Sequence, residues 1–266
     1  MKIISALTAL LVTAALAAHA ADHAPHWGYR GEHGPAKWGD MEAGFSQCKL
    51  GKEQSPVDIR NAKKSALPAL DFNYKQTNAE AINNGHTIQV SLADGGVLNL
   101  DGVSYKLVQF HFHTPSEEKI DGKAYPMVAH LVHQNVEGKL AVVAVLLTQG
   151  KENTALDPLF ENLPPSEGAK TTLGANFNAV DLLPAERGYF KYVGSLTTPP
   201  CSEGVRWQVL KRPVEVSKAQ IAAFRKLYQM NARPVQPFGS NTERPKPSTR
   251  PVRLQLPVWR LPEPTA

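Results

Sequence analysis

Between residues 108 and 113 apolar and polar side chains alternate without a break. Val108, Phe110 and Phe112 fall on one parity, and Gln109, His111 and His113 on the other. A period of two predicts a strand with one face in a core, so the phenylalanines point inward while both imidazoles emerge together on the opposite face. Shorter runs at 88–92, 97–100 and 105–113 are separated by Asp94-Gly95-Gly96 and Asp101-Gly102, turn sequences that predict successive antiparallel hairpins. Residues 128–133 are expected to pair through Glu137-Gly138 with 140–147, a run apolar at nearly every position, as in a strand covered on both faces. Further strands are predicted at 67–74, with Pro68 at the start, at 189–193 and at 205–210. The helical period is rare. A short helix is predicted at 153–163, and Ser217 caps another at 218–231 with Ile221, Phe224, Leu227 and Tyr228 on one stripe. No repeat or linker interrupts this pattern, which reads as one mainly β domain.

The ends differ from the body. Met1-Lys2, an apolar run over 3–18 and Ala18-His19-Ala20 read as a signal peptide spanning 1–20, cut after Ala20. The run is too short and too rich in alanine for a membrane anchor, and no second stretch is long enough to span a bilayer. The expectation is an exported protein, periplasmic or secreted, with its body at 21–242. Cleavage would leave Ala21-Asp22-His23, whose amine, amides and imidazole suit square-planar copper or nickel; the plainer reading is an exposed histidine that binds nothing. The Pro- and Arg-rich segment 243–266 reads as a solvated tail, the structured alternative being packing of 252–261 along the domain or across a homodimer. At the other end, glycines and rings alternate through 26–39, suggesting irregular backbone packed by its own aromatics.

The net charge of +5 does not point to nucleic acid, because no Lys/Arg cluster interleaves with aromatics in the body. Cys48 and Cys201 are the only cysteines, and in an oxidising compartment an even number reads as one disulfide. With thiolates spent, metal ligands must come from elsewhere. His111 and His113 supply two on one face. His130 and His133 lie an odd step apart, so only one of them can join, and parity does not say which. Three imidazoles with an open fourth position are a catalytic zinc arrangement, whereas structural zinc closes all four positions. No Asp closely follows His113, as a metallo-β-lactamase-like site would require, and there is no H-E-x-x-H, G-x-S-x-G or G-x-x-x-x-G-K motif.

The runs Gln109-Phe110-His111-Phe112-His113, Ser116-Glu117, Ala129-His130-Leu131-Val132-His133 and Gly194-Ser195-Leu196-Thr197-Thr198-Pro199-Pro200 together resemble the signature of an α-class carbonic anhydrase of the exported bacterial kind. Gln54-Ser55-Pro56-Val57-Asp58-Ile59 and Asn83-Asn84-Gly85-His86 extend the likeness, which covers about 26–237. The resemblance implies a single domain around a large twisted, mostly antiparallel central sheet with a few short helices. It implies Zn2+ on His111, His113 and His130, with His133 left in the core. A zinc-bound hydroxide would then convert carbon dioxide to bicarbonate and a proton. Thr197 would take the hydroxide's proton in a hydrogen bond and pass its own to Glu117. Val132, Val142, Leu196, Thr198 and Trp207 would surround the substrate, and His86 would shuttle the proton through water ordered by Tyr29, Asn84 and Gln89. Gln109 would hold a ligand ring, and a Cys48–Cys201 disulfide would pin the loop that carries Thr197.

Two positions depart from the family. Ser116-Glu117-Glu118 stands where Ser-Glu-His is usual, and Val128 stands where a glutamate usually accepts the third ligand's second N–H. Losing that acceptor costs on the order of 10–100-fold in metal affinity or activity unless something replaces it. Either Glu118 restores it, or a carbonyl or water does and Glu118 is exposed. The leading expectation is CO2 hydration with weak esterase activity. The alternatives are a binding protein of the same fold without catalysis and a periplasmic zinc-binding protein.

Overall fold

The alternating segments gather into one 11-stranded sheet, with a separate two-stranded pair beside it. The computed structural model describes residues 26–237; the signal peptide, the Ala21-Asp22-His23 motif and the tail at 243–266 lie outside them. Two short helices, α1 (Trp38–Met41) and α2 (Gln47–Leu50), precede β1 (Asp58–Ile59), β2 (Asp71–Tyr74), β3 (Thr77–Asn83), β4 (Ile88–Leu92), β5 (Gly96–Leu100) and β6 (Val103–His113). Then come β7 (Lys119–Ile120), β8 (Met127–Gln134), β9 (Leu140–Gln149), α3 (Asp157–Phe160) and β10 (Lys170–Phe177). The described part ends with β11 (Tyr189–Ser195), β12 (Glu203–Leu210), β13 (Val214–Val216) and α4 (Lys218–Leu227).

The sheet runs β10-β3-β4-β6-β8-β9-β12-β11. Its pairs are antiparallel except β9 with β12 and with β13. The central strands read as their sequences require. On β8, Met127, Ala129 and Leu131 enter the large core while Val128 and Val132 join a second cluster on the other face. On β9, Val143, Val145 and Leu147 face the first cluster, and Val142, Ala144 and Leu146 the second, so both faces are apolar. Phe110 and Phe112 are fully buried in the large core against Phe224 of α4 and its neighbours. That arrangement turns His111 and His113 to the opposite face. The helix α4 opens with a reciprocal cap, Gln220 N–H to Ser217 Oγ at 3.1 Å and Ser217 N–H to Gln220 Oε1 at 2.9 Å.

Several local expectations are corrected. β4 and β5 do not form a hairpin. Both lie along the long β6 in series, β4 against its histidine end and β5 against its start. Gly96 then serves close packing as well as turning: at φ +87° it sits where a Cβ would come within 2.1 Å of Asn73 O on β2. The 67–74 strand is only β2. The helix expected over 153–163 shrinks to one 3-10 turn and α3, because the chain meets Pro164-Pro165 immediately afterwards. The last helix stops at Leu227, with Tyr228 extended at φ −131° and Asn231 drawn into the site described below. β3 and β10 were not expected. The buried positions of β3 are Thr77, Ala79, Ala81 and Asn83, and on β10 only Phe177 is buried, with Thr171 and Leu173 half-buried, too weak a pattern to show the alternation.

Candidate metal centre

The register of β6 on β8 sets His111 directly opposite His130, with His113 two residues further along the same face. The ring centroids are 5.0 Å apart for His111–His113, 5.5 Å for His111–His130 and 4.8 Å for His113–His130. One nitrogen from each ring lies within 4.8 Å of the other two. His133 faces the large core, where its Nε2 meets Tyr74 Oη at 2.6 Å and its Nδ1 meets Ala141 O at 3.2 Å. Strand parity thus separates the two candidates.

The outer nitrogen of each ring is occupied. His111 Nδ1 lies 2.8 Å from Gln109 Oε1, His113 Nδ1 lies 2.7 Å from Asn231 O, and His130 Nε2 lies 3.1 Å from the Glu118 carboxylate. All three partners are acceptors, so each outer nitrogen carries a hydrogen, and in the neutral ring the inner nitrogen keeps a lone pair. His113 Nε2 is buried with no hydrogen-bond partner, a costly state for a bare polar atom. Three converging imidazole nitrogens without a thiolate fit zinc. Burial, then the His130 charge, pushes the His111 pKa down to about 3, and the same causes hold His113 well below the usual histidine range. Burial also acts to lower His130, but the charge and hydrogen bond of Glu118, helped by Glu117, outweigh it and raise the ring. Neutral His111 and His113 are the forms a cation needs.

Glu117 lies beneath the rings, fully buried. Its Oε1 accepts from Arg233 N–H at 2.8 Å, and its Oε2 lies 3.4 Å from His113 Nε2 and 3.8 Å from His130 Nδ1. Burial pushes its carboxyl up to about 7; the His130 charge and hydrogen bonds from Thr197 and Arg233 pull the other way, and the Glu118 charge adds to the rise. Thr197 stands in the loop after β11. That loop is closed by Leu196 N–H to Ser202 O at 3.0 Å and Cys201 N–H to Thr198 O at 2.9 Å. It is tied down by the Cys48–Cys201 disulfide, packed against buried Trp38, and by Gln54 Nε2 donating to Cys201 O at 3.0 Å. The Arg233 guanidinium grips the opposite side through Cys48 O, Gln54 Oε1 and Ser55 O.

Beside the rings, Val132, Val142 and Trp207 are buried in the second cluster, and Leu196 packs against it. Trp207 lies edge-on to His130 at 4.9 Å, with its Nε1 donating to Ser195 O at 3.1 Å. Thr198 is half-buried at the loop's turn. His86 is half-buried and stacked on Trp27, centroids 3.6 Å apart and planes within 8°, with His26 at 5.7 Å. Burial and then the His26 charge lower its pKa. Tyr29 packs edge-on to Trp27 and Trp38. Gln89 pairs with His111 in the β4–β6 register and donates to Ser91 Oγ at 3.3 Å. The Asn84 carbonyl builds the turn instead, accepting from His86 N–H and Thr87 N–H at 3.0 and 2.9 Å, which leaves only its amide nitrogen for water.

Two site residues escaped the sequence reading, Asn231 and Arg233. Asn231 is fully buried: its carbonyl meets His113, its Oδ1 accepts from Thr114 N–H at 2.7 Å, and its Nδ2 donates to His86 O and Phe112 O at 3.1 and 3.0 Å. The available signal was a run, Asn231-Ala232-Arg233-Pro234, that returns to extended structure directly after an amphipathic helix.

Three imidazoles on one sheet face, backed by a buried Glu–Thr pair, form a candidate site for a single metal ion. Residues 33–255 match the family model of eukaryotic-type carbonic anhydrase. The chain is 44% identical over 238 residues to a carbonic anhydrase of Neisseria gonorrhoeae, covering 88% of this chain and 94% of that protein. It is 45% identical over 220 residues to a carbonic anhydrase of Klebsiella pneumoniae, covering 81% and 89%. The solved α-carbonic anhydrase of Thermovibrio ammonificans, in complex with the inhibitor sulfanilamide, matches with a TM-score of 0.79 at 45% identity, over 81% of this chain and 96% of that one. The chain belongs to the eukaryotic-type, or α, carbonic anhydrases.

Proposed function

We propose that the chain catalyses the reversible hydration of carbon dioxide to bicarbonate and a proton, with zinc held by His111, His113 and His130 and His86 as the proton shuttle. The observation that carries this reading is the division of each ring into an outer nitrogen with an acceptor and an inner nitrogen aimed at a common point. Zinc bound there supplies a Lewis acid that makes a hydroxide nucleophile accessible near neutral pH.

The protein's part is orientation, exclusion and proton transfer. The Thr197 hydroxyl donates to Glu117, so its oxygen can accept only from the nucleophile, which leaves a nucleophile lone pair free to face the substrate. Glu117 must be ionised for this, and the Arg233 N–H holds its Oε1 in place. Val132, Val142, Leu196 and Trp207 offer an apolar wall that favours CO2 over water beside the rings, and Thr198 lines the loop side. Water ordered by Tyr29, Gln89 and the Asn84 amide leads the released proton to His86, whose lowered pKa helps it to hand the proton on to buffer. The N-terminal leader and the disulfide support a periplasmic or secreted enzyme. Among the described residues, no helix is long and apolar enough to cross a membrane.

The test is stopped-flow CO2 hydration by the mature protein. Turnover that a chelator abolishes and added zinc restores is the expected result. Stoichiometric zinc uptake without turnover would replace the enzyme with a zinc-binding protein.

A further inference from the structure

We propose that Glu118 is the positioning residue for His130, supplying from the loop after β6 the acceptor that β8 lacks at Val128. This rests on the reading of His130 as a zinc ligand. Val128 and His130 are two apart on β8 and so share a face, and Val128 is fully buried in the apolar second cluster. A valine there packs but accepts nothing. Glu118 comes from the other side. Both its oxygens lie 3.1 Å from His130 Nε2, Oε2 with hydrogen-bond geometry and Oε1 with no other partner. The carboxylate is 0% exposed and the ring 1%, so water does not compete for the contact.

The approach of Glu118 is fixed from both directions. Upstream, Ser116 exchanges bonds with Tyr125, N–H to carbonyl at 2.9 Å and Oγ from Tyr125 N–H at 2.9 Å, and the same Oγ donates to Glu118 O at 2.7 Å. Downstream, Lys119 N–H donates to Val57 O at 3.2 Å as β7 joins β1. A carboxylate so held keeps the hydrogen on His130 Nε2, and His130 then presents Nδ1 inward, whereas His111 and His113 keep Nδ1–H and present Nε2. One tripeptide, Ser116-Glu117-Glu118, therefore places both the acceptor for Thr197 and the acceptor for His130. The exchange also disfavours an acid at 128 in this chain, because a second carboxylate there would meet Glu118 at the same N–H.

The experiment measures zinc release from the loaded mature protein into excess chromophoric chelator, with the thermal midpoint recorded alongside. Glu118→Gln should speed release on the order of 10–100-fold. Val128→Glu alone should lower the midpoint through the clash of like charges, while Glu118→Gln with Val128→Glu should bring release back towards the wild-type rate. Wild-type release from Glu118→Gln, or a double variant no slower than that single one, overturns the proposal. A readout on the unaltered protein guards against variants that do not fold. Imidazole 15N–1H spectra of the loaded wild type should show His130 alone of the three with a slowly exchanging Nε2–H, and a rapidly exchanging proton there overturns the proposal too. Wild-type protein that binds no zinc would bring down the metal reading along with this one; zinc retention indifferent to Glu118 brings down this one alone.

Discussion

Reduction of the Cys48–Cys201 disulfide should lower both stability and turnover, by separable amounts. The bond spans 153 residues of chain. The chain-entropy relation for a loop of that length gives about 5 kcal/mol at 25 °C as the stabilisation withdrawn when the unfolded chain is released. Two thiols fill nearly the same space against Trp38 as the bridge, so little packing is lost in the native state. For a domain of this size the change corresponds to roughly 10–20 °C in the melting midpoint. The catalytic loss has another origin. The loop holding Thr197 keeps its own two backbone bonds but loses its covalent tie to α2, and displacement of a positioning group by about 1 Å can cost on the order of 100-fold. The assay is urea unfolding with and without reductant, repeated on Cys48→Ser/Cys201→Ser, with stopped-flow hydration on the same samples and thiol titration to confirm reduction. An unchanged unfolding midpoint and full turnover with both thiols titratable would refute the reasoning.

Three further outcomes are expected. His86→Ala should reduce kcat by on the order of 100-fold in dilute buffer, with recovery in imidazole buffer and zinc content unchanged; no buffer dependence would remove His86 from the path. Thr197→Val should cut kcat/KM by roughly 100-fold while leaving zinc bound, since the nucleophile loses its acceptor and Glu117 its hydroxyl donor. Buried His133, with its pKa lowered to about 4 chiefly by burial, is held neutral in the folded state. Its contribution is fully present above the unfolded value near 6.5 and is lost as pH falls from there through 4, in all about 3 kcal/mol. Urea unfolding of zinc-free protein against pH should therefore be steeper for wild type than for His133→Gln over that window; parallel curves would contradict the assignment.

The central strands were legible because their inward residues are Phe, Val and Leu, which make the period of two plain. β8 and β9 came within two residues of their observed ends, and the His111–His113 pair followed from alternation alone. Choosing His130 over His133 needed the family resemblance, since parity says that they part without saying which one faces the metal. The β4–β5 hairpin failed because a turn sequence records where the chain bends and not what each strand pairs with; an eleven-residue β6 has room for both in series. Asn231 and Arg233 were invisible for a related reason. A polar residue beyond an amphipathic helix reads as solvent-facing, and only the tertiary fold buries it under His113 and Glu117.

Asn231 gives the centre an order of assembly. His111, His113 and His130 are all present once β8 has been made, yet the carbonyl that fixes the His113 hydrogen arrives about a hundred residues later, on the same residue that clasps the backbone of His86. Without that late segment the three imidazoles lack the acceptor that sets the His113 ring. The ring of His113 and the backbone of His86 thus depend on one residue, and a chain truncated before residue 231 loses both contacts at once.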